Sequence, residues 1–145
     1  MPALLSATPR PIMSPSFISA ANGGHDQLAG FPSEEIDIIA NVARYHRRAL
    51  PSLKHEPFHE LSPKHKRIVR VLAALLRVAD GLDRTHFSVV RTVEVKIGKA
   101  LTIVVHTTGD AEFEMWAAKG RADLLAHVFR RPVTFETVAD QDGQS

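Results

Sequence analysis

Two short stretches of the chain place charged side chains at spacings that could hold an anion or a metal. In Arg44-Tyr45-His46-Arg47-Arg48, a helical backbone sets Arg44 and Arg48 side by side, four residues apart. Adjacent guanidinium groups repel unless an anion or a carboxylate lies between them. The stretch therefore reads as an oxyanion clamp, or as the partner of Asp80, Asp83 or Glu56. The second stretch is Arg77-Val78-Ala79-Asp80-Gly81-Leu82-Asp83-Arg84. Acids at a helix C-terminus oppose the helix dipole and need cations or a metal nearby. Salt bridging to Arg77, Arg84 or Arg44 meets that need, and so does metal binding. A third feature, His25-Asp26, would offer one imidazole and one carboxylate to a metal. It lies between Gly23-Gly24 and Gly30, in a turn, and a dipeptide recurs easily by chance.

Composition removes several chemistries. The chain has no cysteine, so disulfides, thiolate catalysis and zinc-thiolate sites are out, and a cytoplasmic location is the expectation. It carries no phosphate-binding glycine loop, no nucleophile elbow and no paired-histidine zinc helix. No apolar run approaches the roughly 18 residues that span a bilayer, and Pro9, Pro11 and Pro15 interrupt any secretory-type stretch. The formal net charge is only +2, but eleven Lys or Arg face four acids between Arg44 and Arg91. A basic block of this kind suits polyanionic partners, and it also occurs as an ordinary solvated helix surface.

The elements that would position these residues follow from periodicity. Residues 1–32 are irregular, with a short helix around Ser16 to Ala21. Ser33-Glu34-Glu35 starts a helix expected to reach Arg48 or Leu50, just before Pro51. Residues 51–61 read as a loop. Ser62-Pro63 opens a second helix, whose Ile68, Val71, Leu72, Leu75, Leu76 and Ala79 keep a 3.6-residue period until Gly81 ends or bends it. The period then changes to two: Val93, Val95 and Ile97, a two-residue turn at Gly98-Lys99, then Leu101, Ile103 and Val105. One amphipathic helix from Gly109-Asp110 to Pro132 follows, with Phe113, Trp116, Ala117, Leu124 and Val128 inward, and a strand over Val133–Thr137 closes the order. The expected class is α+β: a helical region over 33–88, a β-β-α-β lobe over 89–138, and a tail over 139–145.

Three segments together resemble the exopolyphosphatase/guanosine pentaphosphate phosphohydrolase family: Gly30 to Glu35, Ile39 to Arg47, and Leu72 to Arg84. Phe113-Glu114-Met115-Trp116 with Arg121, Leu124 and Phe129 is similar to the small terminal region of those proteins, so the resemblance runs from about Ser16 to Thr137. In that family an actin-like N-terminal domain hydrolyses phosphoanhydrides with magnesium, and an HD-like helical domain follows it. The resemblance covers the later part alone. It implies a partial HD-like region in which His46 and Asp80 match metal-ligand positions, while the helices bearing the first ligands have no counterpart in the chain.

The resulting expectation is a module that binds polyphosphate or a phosphonucleotide through Arg44, Arg47, Arg48, Lys66, Arg70 and Arg77. It would have no cofactor of its own, with magnesium or another divalent metal a family property, and would pair as a homodimer or dock on a separate catalytic chain. A metal-dependent phosphohydrolase acting through His46 and Asp80 is the rival enzyme reading. Nucleic-acid binding ranks last, because only Tyr45, Phe58 and Phe87 interleave with the cations as stacking platforms.

Overall fold

The computed structural model describes residues 30–47 and 49–140. His25-Asp26, the helix expected at Ser16–Ala21 and Arg48 lie outside them.

Helix α1 (Ser33–Tyr45) begins after Pro32, with Glu34 and Glu35 at the positive end of its dipole. It stops short of the expected Arg48 because side chains take its last carbonyls. The His46 ring Nδ1–H donates to Ala43 O at 2.6 Å, and Arg77 donates to Tyr45 O at 3.3 Å. A single turn, α2 (Glu56–His59), lies inside the segment expected to be loop and buries Phe58 completely. Asn41 ties the two together, its Nδ2 donating to Asp37 O at 2.8 Å and to Pro57 O at 3.4 Å. Tyr45 stacks on His55 with ring centroids 5.5 Å apart and meets Phe58 edge-on at 5.7 Å.

Helix α3 (Pro63–Leu82) starts as its sequence dictates, with Ser62 Oγ accepting the His65 N–H at 3.2 Å and Pro63 in the first turn. Its end differs from expectation. Gly81 lies inside the helix, where a Cβ would stand 2.7 Å from the backbone N and Cα of Ala118. The missing side chain therefore serves a helix crossing and not a helix stop.

Strands β1 (Val90–Ile97) and β2 (Leu101–Thr107) form an antiparallel hairpin with Val95 opposite Ile103 and Ile97 opposite Leu101. The connection spans Gly98 to Ala100 and is closed by the Gly98 N–H on Ala100 O at 3.0 Å, one residue longer than the expected turn. Strand β3 (Val133–Ala139) lies parallel to β2, giving the order β1-β2-β3 in an α+β molecule. Parallel pairing demands a crossover, which is made by two helices, α4 (Glu112–Lys119) and α5 (Asp123–Phe129), where one was expected. The break at Gly120–Ala122 changes which face is inward. Met115 and Ala118 are buried, while Phe113 is 71% and Trp116 75% exposed, so Trp116 is not core. At the close approach to Gly81 it is Ala117 and Ala118 that face α3, which leaves Phe113 and Trp116 on the outer side of α4. One apolar core runs from Tyr45 and Phe58 through Val69, Ala73 and Val78 to Met115, Leu125 and Val105.

The segment linking α3 to β1 is anchored by Glu114 of α4. Its buried carboxylate accepts the Thr85 hydroxyl and, at 3.2 Å, the Thr85 N–H. Burial pushes the Glu114 carboxyl up, but the hydrogen bonds from the Thr85 hydroxyl, its own backbone N–H and the Thr85 N–H together hold it below the usual range.

Two outcomes follow. Gly81→Ala should cost about 2–3 kcal/mol through overpacking, lowering Tm by roughly 5–15 °C. Gly98→Ala, whose Cβ would meet only Ala100 O at 3.9 Å, should leave thermal unfolding almost unchanged. For Glu114, the unfolded chain takes up the proton before the folded one on acidification. Its stabilisation is therefore complete at neutral pH and disappears as pH falls through the folded pKa. Denaturant titrations from about pH 7 to about pH 3 should show a larger stability loss for the native chain than for Glu114→Gln. Parallel curves would rule this out.

Candidate functional site

The C-terminal turn of α3 carries Asp80 and Asp83 against the negative end of its own dipole. Side chains from three separate places meet them. Arg47, in the turn after α1, approaches Asp80 Oδ1 at 3.6 Å, and Arg121, in the turn between α4 and α5, donates to Asp80 Oδ2. Asp83 Oδ2 meets His86 Nδ1 at 3.0 Å on the surface. Arg84 makes no hydrogen bond or ion pair to another described residue.

Arg47, Asp80, Asp83, Arg84, His86 and Arg121 line one solvent-facing cleft of about 370 Å³. With three guanidinium groups against two carboxylates, it keeps a positive surplus before any histidine protonates. Its rim is also strained. His86 and Ser88 sit at φ 59° and 54°, a left-handed backbone that costs roughly 1–2 kcal/mol per ordinary residue. Glu114 holds this rim by its grip on Thr85.

The other cations singled out in the sequence are placed elsewhere. Arg44 lies over the Tyr45 ring at 5.8 Å, and Arg70 over the Phe58 ring at 5.1 Å. Lys66 is half-buried in the first turns of α3, its N–H bonded to Ser62 O at 2.9 Å. Arg77 is buried and caps α1. Of the described members of that set, Arg47 lines the cleft.

His46 is 1% exposed beneath this site. Burial pushes its pKa down, against the backbone hydrogen bond to Ala43 and the charge of Asp80, which both raise it, so the ring is held towards its neutral form. With Nδ1–H donated to Ala43 O, Nε2 carries the lone pair, and it has no partner among the described residues. His46 and Asp80 do not fit a metal as they stand. Each Asp80 oxygen already faces a guanidinium group, and two positive charges beside it repel a cation. Among the described residues no group of three or more His, Asp or Glu is arranged to hold one.

Sequence reasoning offered Arg77, Arg84 or Arg44 as salt-bridge partners of the acids, whereas Asp80 faces Arg47 and Arg121, and Arg121 was missed as its partner. Arg121 had a readable signal: Gly120 before it and Asp123 after it mark a helix end followed by a helix start.

A family model described as Ppx/GppA phosphatase, domain III, matches residues 24–111. No curated protein matches the chain. The matched segment spans α1 to β2 and contains His46, Arg47, Asp80, Asp83, Arg84 and His86. Arg121 lies beyond it, on the crossover. By this match over more than half its length, the chain belongs to the Ppx/GppA phosphatase family and contains that family's domain III.

Proposed function

We propose that this chain is a phosphoanion-binding module of the Ppx/GppA family, with polyphosphate or a phosphonucleotide bound in the arginine-lined cleft. It would do so while pairing with a second copy or docking on a catalytic chain. The observation that carries the reading is the convergence of Arg47, Arg84 and Arg121 on one cleft of about 370 Å³, a volume in the range of small-molecule sites.

Guanidinium groups suit phosphate because their planar fork donates two parallel hydrogen bonds to it. Asp80 orients Arg47 and Arg121 by contacting one nitrogen of each, which leaves their other N–H donors for a ligand. Arg84 is exposed, and among the described residues none pairs with its guanidinium group. The helix terminus itself contributes repulsion, so the arginines do the attracting. No hydrolytic step is assigned to these residues, since Asp80 is committed to arginine.

In calorimetric titration with long-chain polyphosphate, Arg84→Ala should weaken binding by about tenfold, the effect of removing one charge-assisted contact at a partly exposed site. Arg47→Ala should weaken it less, because that change also relieves a pairing with Asp80. Lys99→Ala, on the remote hairpin loop, should leave it unchanged. Equal affinities across all three variants would contradict the cleft as the binding site.

A further inference from the structure

Strand β1 is one of the two edges of the sheet, and its residues from Thr92 to Ile97 are exposed. One face of it is apolar: Val93, Val95 and Ile97 are 43%, 56% and 74% exposed. These three side chains open into a groove of about 290 Å³ floored by β2 and walled by α3 and α5, with Leu75 and Phe129 also exposed along it. Among the described residues no strand pairs with the outer side of β1, and an exposed apolar edge strand of this length invites pairing with another strand.

We infer that the occupant is the β1 strand of a second copy of this chain, paired antiparallel about a two-fold axis through Val95. This rests on the pairing half of the function proposed above and supplies its surface. The register follows from the charges. Centring on Val95 puts Glu94 opposite Lys96 of the second copy, twice by symmetry, with Val95 opposite itself and Val93 opposite Ile97 of the second copy. Centring on Glu94 or on Lys96 would set like charges directly opposite each other, which destabilises a sheet. The axis is perpendicular to the sheet, so both apolar faces lie on the same side, with Val93, Val95 and Ile97 of the two copies in one strip across the seam. Five rungs of edge pairing bury less than the roughly 1,200–2,000 Å² typical of stable interfaces, so the contact is of the weak, concentration-dependent class. The interface is isologous, as a two-fold contact requires.

Charge reversal tests it on the full chain by sedimentation over a concentration series. The native chain should dimerise. Glu94→Lys and Lys96→Glu alone should each raise the dimer dissociation constant at least about tenfold, by turning both attractions into repulsions. An equimolar mixture of the two single variants, and the double charge swap, should restore the dimer. Glu94 also faces His106 Nε2 at 3.4 Å within the chain. Lys96→Glu leaves that contact intact and so separates loss of pairing from loss of fold, with circular dichroism as the check. A native chain that stays monomeric, a dimer that survives both single reversals, or a mixture that fails to recover would each overturn the inference. Polyphosphate titration of the same samples keeps the two readings apart. Dimers that do not bind would refute the phosphoanion site alone, and monomers that bind would refute the edge pairing alone.

Discussion

At Gly81 the backbones of α3 and α4 come so close that a single added carbon would stand 2.7 Å from Ala118. The rest of the cleft depends on that approach. It brings Glu114 under the rim, where the carboxylate holds Thr85, and it carries the turn after α4 to the end of α3, where Arg121 reaches Asp80. A wider crossing would leave Asp80 facing only Arg47, whose side chain is more than half exposed and whose pairing is correspondingly weak. The run of Ala73, Ala74, Ala117 and Ala118 is the sequence counterpart of this closeness, and all four residues are buried.

The charges at this point form a sequence of compensations. Two acids sit where the dipole of α3 is least favourable to them. Arginines from before and after α3 in the sequence offset the acids and, with Arg84, overshoot them, leaving a positive cleft. The same overshoot argues against a cation at His46 and Asp80. One of the arginines that hold Asp80 comes from the turn after α1, within the segment matched to Ppx/GppA domain III, and one from the crossover beyond it. The site is therefore assembled jointly by the helical region and the β lobe, which also share one apolar core.

Much of the fold was legible because it rests on local rules. The Ser62-Pro63 helix start, the period-two strands and the α+β order all appear in the structure as the patterns dictate. The failures share a physical origin in tertiary contacts that override local pattern. Helix α1 ends early because His46 and Arg77, the latter distant in sequence, take its carbonyls. Gly81 looked like a helix stop because a packing glycine and a terminating glycine are the same letter. Trp116 and Phe113 looked like core because bulk and apolarity favour burial, but the close approach at Gly81 sets Ala117 and Ala118 against α3 instead. That the acids at this helix end want cations or a metal nearby was legible, and Asp80 faces two arginines. The identity of those partners was not, since Arg121 is brought there by a break between α4 and α5 that periodicity alone had merged into one helix.

The central claim is that the arginine-lined cleft binds phosphoanions by charge. It is tested most directly by the affinity of the native chain for long-chain polyphosphate as a function of salt. Three guanidinium contacts should make the affinity fall linearly on logarithmic axes, by roughly ten- to fortyfold between about 50 and about 200 mM salt. An affinity that stays flat over that range would contradict the account.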